Sequence, residues 1–150
     1  MPEVAHLYRF DCRWRLDVEP GQVYSVLADV PAYPSWWPQV LSGREIEDGV
    51  GEVRVRSALP YELTLLLRRE TEDPDRRVLR ARIDGDLVGW SEWEVGSADA
   101  GSLVHFREEV RLGRAGLARL PALVRPILTA NHDYMMRSGE RGLRRHLSAG

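Results

Sequence analysis

Polar and apolar residues alternate one for one from Val4 to Val18. Tyr8, Phe10, Cys12, Trp14, Leu16 and Val18 share one face; Arg9, Asp11, Arg13, Arg15 and Asp17 share the other. A period of two over this length predicts a long strand with one wet face, the kind found in antiparallel sheets. Glu19-Pro20-Gly21 breaks the strand. Pro20 suits a first helical turn, and Val23, Val26, Leu27 and Val30 follow at helical spacing, so a short helix is predicted that stops at Pro31. In Tyr33-Pro34-Ser35-Trp36-Trp37-Pro38 two prolines bracket two tryptophans and forbid a long regular element, which predicts a helical turn pinned by its rings.

Short alternating runs then repeat from Leu41 to Leu112. They predict strands at Ser42–Glu47, Gly51–Leu59, Tyr61–Glu72, Arg77–Asp84, Leu87–Val95 and Ser102–Leu112. Asp48-Gly49, Asp73-Pro74-Asp75, Asp84-Gly85-Asp86 and the segment Gly96–Gly101 supply the turns. The period changes once more at Leu120–Leu147, the one long helical pattern. On a wheel, Val124, Leu128, Asn131, Met135, Gly139, Gly142, Leu143 and His146 fall on one side. Arg137, Glu140, Arg141 and Arg144, with Asp133, fall on the other. Two glycines on the apolar side, each costing roughly 1 kcal/mol relative to Ala, predict a close approach to bulky groups on the facing sheet.

Consecutive strands with tight turns form a meander, and a sheet of this width curls. Its concave face needs a cover, and the C-terminal helix is the one available. The expected class is α+β: a curved seven-stranded antiparallel sheet around a long C-terminal helix, with two short helices after the first strand. No composition shift marks a boundary, so one domain over residues 1–150 is expected. A curled sheet closing on a helix leaves a hollow, and apolar hollows with a few polar groups are the usual small-molecule sites.

Composition narrows the partners. Net charge is −2 and no basic block is dense enough to track a phosphate backbone, which argues against nucleic acid. All 21 basic residues are Arg, a codon signature of a GC-rich, bacterial genome. With Cys12 alone, no disulfide forms within the chain and a cysteine metal site is not expected. The first residues lack a signal-peptide core, and no run approaches the ~18 apolar residues of a membrane span, so the expected location is the cytoplasm.

Four stretches carry a family resemblance: the Pro20-Gly21 helix start after a long strand; Tyr33-Pro34-Ser35-Trp36-Trp37-Pro38; Gly89-Trp90-Ser91-Glu92-Trp93; and Asn131-His132-Asp133 followed by Met136, Gly139, Gly142 and Leu143. Together with the element order they resemble the helix-grip fold of the START-related SRPBCC superfamily, in its polyketide cyclase/dehydrase-like and lipid-transport-like branch. The resemblance implies a deep apolar cavity between sheet and last helix. Its members include aromatase/cyclases, lipid and quinone carriers and hydrolase-like proteins, so fold alone does not choose an activity.

The expected cavity lining is Tyr33, Trp36, Trp37, Trp93, Val124, Leu128, Asn131 and Met135, with Trp14 in the core. Strand parity allows only one of Trp90 and Trp93 to face inward. Trp93 is the expected one, which leaves Glu92 on the wet face; the reverse parity would make Glu92 a buried general base. His105 is expected as a solvated strand residue and His132 as a hydrogen-bonded residue at the helix margin. His6 and His146 complete the set, which contains no metal pattern; no metal or cofactor is expected. Arg54, Arg56, Arg80, Arg82 and Arg107 alternate with apolar residues and belong to the wet face, though one turned inward would hold a carboxylate or phenolate.

Three functions follow. The first is binding, or transport, of a hydrophobic small molecule such as a lipid, isoprenoid or polyketide. The second is a cyclase/aromatase-like enzyme, drawing on Tyr33, Asn131, His132, Tyr134 and Glu92; two charged or tyrosyl groups within hydrogen-bond reach inside the cavity would favour it. The third is a protein-interaction module, which requires the Trp-rich segment to be exposed.

Overall fold

The alternation of the first strand is repeated by every strand after it, and this sets which side chains meet the helix. The computed structural model describes residues 7–56, 62–113 and 125–148. The strands are β1 (Leu7–Leu16), β2 (Val40–Glu47), β3 (Val50–Arg56), β4 (Glu62–Asp73), β5 (Val78–Gly85), β6 (Leu87–Ala98) and β7 (Gly101–Leu112). They form one seven-stranded sheet in the order β1-β7-β6-β5-β4-β3-β2, with every neighbouring pair antiparallel. The first strand thus returns to pair with the last, and the remaining strands form a meander. Residues 1–6 and 57–61, which held the ends of three expected strands, lie outside the described residues.

One face of the sheet supplies the core. Trp14, Leu16, Val53, Val55, Leu65, Leu79, Ile83, Trp93, Val95, Val104, Phe106 and Val110 are buried. Their partners across the ladder hold the parity: Trp93 opposes Phe106 on one side and Leu79 on the other. The other face carries ion pairs such as Arg9–Glu109, Arg44–Glu52 and Arg54–Glu62. Exposed pairs of this kind add little stability; they keep the convex face wet.

Between β1 and β2 the two expected short helices are present, with bounds that differ from the expected stop at Pro31. Helix α1 (Pro20–Ala28) ends earlier, and a 3-10 helix (Val30–Ser35) runs through both prolines. Pro31 has no N–H with which to reach the carbonyl of Leu27 four residues back. The Tyr33 hydroxyl takes its place, donating to Leu27 O at 2.5 Å. A helix end that proline leaves open is thereby capped by a buried phenol.

Helix α2 is described over Arg125–Ser148; residues 114–124, which held the start of the expected helix, lie outside the described residues, as do the side chains of 125–128. Its buried stripe is Met136, Ser138, Gly139, Gly142 and Leu143, with Asn131, His132 and Met135 half-buried. His146, assigned by the wheel to the apolar side, is exposed, whereas Leu147 packs against the core. The two glycines answer the expected close approach. A Cβ on Gly139 would meet Trp37 Cε2 at 2.6 Å, and one on Gly142 would meet the Trp36 carbonyl oxygen at 1.8 Å. The helix therefore rests on the chain just after the 3-10 helix, backbone against backbone.

Since the obstacle at Gly142 is a main-chain carbonyl, no side-chain rotation can relieve it. Gly142→Ala is expected to lower stability by about 3 kcal/mol, at the upper end of overpacking costs despite the better helix propensity of Ala. Urea denaturation followed by far-UV circular dichroism measures it; an unchanged midpoint would show that the helix does not sit where described.

Candidate functional site

An aromatic cluster fills one end of the space between sheet and helix. Trp37 lies 6.2 Å from Trp14 and 6.3 Å from Trp93, both edge-on, and Trp36 stacks behind it at 5.2 Å. Phe106 extends the cluster to 4.5 Å from Trp93. These rings are held by polar contacts as well as packing. Trp37 Nε1 donates to Met135 O at 2.9 Å, a carbonyl in the middle of α2 that the indole reaches because Gly139 has no side chain. Burial pushes the Tyr33 phenol well above the ordinary tyrosine range, with Trp93 and Arg69 pulling the other way. Tyr33 therefore stays a donor and not a phenolate.

Beside the cluster the facing walls do not meet. A cavity of about 300 Å³ is lined by Leu27, Val53, Leu65, Leu79, Ile83 and Phe106, among others, with Tyr33, Trp37, Trp93 and Met135 from the predicted set. Trp36 is buried at 4% exposure but is not on that lining, since Trp37 stands between. Asn131 is half-buried and also off the lining. Val124 lies outside the described residues, and the side chain of Leu128 is likewise not described. Because Trp36 and Trp37 are 4% and 5% exposed, the segment offers no aromatic patch to a protein partner.

Glu92 faces away from the cavity, as the favoured parity required. Arg80 and Arg107 bind its carboxylate on the convex face, where Arg80 also covers Trp90 at 4.2 Å. His105 is on that face too, 2.9 Å from Asp11. Tyr134 is 51% exposed and faces solvent.

Two charged residues of the cavity wall were absent from the sequence reading. Glu108 lies between Phe106 and Val110 on the inner face of β7, with a side chain only 12% exposed. His132 Nε2 is 2.9 Å from Glu108 Oε1, and the imidazole is stacked on Phe10 at 3.5 Å between centroids. The signal for Glu108 was available: it is two residues from Phe106 in a strand of strict alternation. The second is Arg69, at the rim of the cavity beside Asp29, Glu45 and Thr71. It continues the inward series Leu65, Leu67 up to the register break between Arg69 and Thr71. Its guanidinium donates to Ala28 O at 3.3 Å and pairs with Glu72 at 3.0 Å. Among the described residues no group of three His, Cys, Asp or Glu side chains is placed to hold a metal ion, and no helix is long and apolar enough to cross a membrane.

The family model described as polyketide cyclase / dehydrase and lipid transport matches residues 12–147. Among solved structures, the chain is similar to the Zhui aromatase/cyclase from Streptomyces sp. R1128, with a TM-score of 0.78 at 22% identity, covering 94% of this chain and 93% of that one. It is also similar to a START superfamily protein from Mycobacterium smegmatis, with a TM-score of 0.73 at 11% identity over 96% and 98% of the two chains. The di-domain ARO/CYC BexL from the BE-7585A biosynthetic pathway aligns with a TM-score of 0.70 at 18% identity, covering 93% of this chain and 50% of that one. At these identities the likeness is one of fold: the helix-grip architecture. No curated protein matches the sequence.

Cys12 lies on the inner face of β1, opposite Phe106. Burial raises its thiol to about 12, helped by the carboxylates of Asp11, Glu140, Glu108 and Asp133. Thiolate is the reactive form, so raising this group removes reactivity near neutrality. Iodoacetamide is expected to modify native Cys12 slowly, at a rate that still climbs tenfold per pH unit above 9.0, the ordinary value at which the unfolded chain levels off. Levelling in the native protein near the unfolded value would refute the described surroundings.

Proposed function

Because the chain belongs to the polyketide cyclase / dehydrase and lipid transport family, we propose that it is a single ligand-binding domain that takes up a small hydrophobic molecule between the inner face of the sheet and helix α2. One observation carries the reading: the hollow is bounded by aliphatic and aromatic side chains on every strand from β3 to β7, although the rings next to it are tightly packed. Apolar walls of this kind favour a guest with little polar surface, since each buried polar group without a partner costs free energy.

Size narrows the guest further. A cavity of about 150 Å³ is enough for benzene, and this one is close to 300 Å³. Two fused rings, or a chain of comparable volume, fit. The family and fold support a carrier or binding role, and Tyr33, Trp37, Trp93 and Met135 are the residues proposed to touch the guest.

A second reading, ring closure of a poly-β-keto chain, is favoured by the Glu108–His132 pair. These are two titratable groups at 2.9 Å with Glu108 on the cavity wall. A carboxylate so placed can remove a proton from carbon between two carbonyls, with the imidazole fixing its orientation. The names of the aromatase/cyclase structures on this fold support the same chemistry.

Calorimetric titration with naphthalene tests the binding reading. Wild-type protein is expected to bind one equivalent. Met135→Trp, or Leu67→Trp from the facing wall, is expected to fill the space and abolish the heat while leaving the far-UV spectrum unchanged. Failure of the wild type to bind naphthalene or any neutral bicyclic hydrocarbon would count against the proposal. For the enzymatic reading, Glu108→Gln is expected to slow cyclisation of a poly-β-ketone by about 100-fold, the usual scale for losing an acid/base group. Equal rates with and without wild-type protein would leave binding alone.

A further inference from the structure

We infer that the cavity selects a guest bearing a hydrogen-bond donor, a phenol or alcohol, against the same skeleton bearing a carboxylate. The inference rests on the cavity being a binding site and adds the chemistry of the guest's polar end.

It starts from the free side of Glu108. His132 engages Oε1, and Oε2 makes no hydrogen bond among the described residues. The side chain is nonetheless nearly buried, and its neighbours on the inner face are Phe106 and Val110. A carboxylate oxygen has lone pairs to fill and no proton to give, so in an apolar wall it favours a donor and repels another acceptor. The hydroxyl of Ser91, two residues from Trp93 on the same face, also lines the cavity and adds a neutral polar group.

The cations of the lining do not offset this. Arg80 has its guanidinium on the convex face, among Glu70, Glu92 and Trp90. Arg69 is at the rim, where Glu72 and the Ala28 carbonyl already hold it. Asp29 and Glu45 stand at the same rim and are exposed. Among the described residues, His132 is the remaining basic group close to Glu108, and it is engaged with Oε1. At the Cys12 thiol, one strand away, burial first and then the carboxylates of Asp11, Glu140, Glu108 and Asp133 disfavour the anion. A carboxylate guest would enter that same field, in a medium where like charges are poorly screened.

The probes are three naphthalenes of equal skeleton, titrated calorimetrically at pH 7: 2-naphthol, 2-methoxynaphthalene and 2-naphthoate. The methyl ether keeps the apolar area and the oxygen but removes the donor; the acid replaces it with a charge. Wild-type protein is expected to bind 2-naphthol about tenfold or more tightly than either, a charge-assisted hydrogen bond being the difference. In Glu108→Gln the margin over the ether is expected to fall to about threefold or less. Equal affinity for 2-naphthol and its ether, tighter binding of 2-naphthoate, or an unchanged margin in Glu108→Gln overturns the inference. Naphthalene binding separates the two levels. If naphthalene binds and the derivatives are not discriminated, the cavity stands and its polar selectivity falls; if none of the four binds, the proposed function falls with it.

Discussion

The indole N–H of Trp37 bonded to the Met135 carbonyl is the contact on which the interior depends. It ties the segment after the 3-10 helix to the middle of α2, through a gap that exists only because Gly139 has no side chain. One turn further on, Gly142 lets the helix settle onto the Trp36 carbonyl. The C-terminal half of the helix is thus seated on this segment, and Arg144 ties it to β1 as well by donating to the Arg15 carbonyl. The height of that seat is set by the stacked rings of Trp36 and Trp37, and the edge-on contacts to Trp14 and Trp93 transmit that height to the sheet. Beside the rings the walls do not meet, which leaves the cavity. Hollow and aromatic cluster are two consequences of one standoff.

Much of this was legible in the chain. The alternation around Trp14 fixed the inner face of β1, and the parity of Trp90 to Trp93 put Trp93 inward and Glu92 outward, because strand geometry is local. The glycines of the last helix announced a close approach without saying what approached, since that partner comes from a segment about 100 residues earlier, and spacing within the helix carries no information about it. Pro31 marked a helix end correctly in kind and late in position: the ladder fails before the residue that lacks the N–H, and the phenol that repairs it follows two residues later. The candidate chemistry was less legible. Glu108 sat in plain alternation with Phe106, but its meaning depends on His132, which the topology brings to it across the whole core. Arg69 continued the inward series of Leu65 and Leu67, but its place at the cavity depends on α1 and β2, which no pattern along β4 reveals.

A fold shared by carriers and cyclases leaves activity to the polar groups on its walls. Here those groups are few and unequal. The convex face spends its arginines on its own carboxylates, as Arg80 and Arg107 do on Glu92. The concave face keeps a carboxylate with one oxygen uncommitted. If both proposed readings hold, binding and catalysis are not rival designs for this interior: the atom that would orient a guest is the atom that would withdraw its proton.

The tryptophans also give the molecule an optical property. Trp37 and Trp93 border the empty space, whereas Trp90 lies on the opposite side of the sheet beneath a guanidinium. On the proposed reading, emission from the first two would respond to a guest in the cavity, while Trp90 lies out of its reach. A guest there would thereby be written into the protein's own ultraviolet fluorescence, with no label attached.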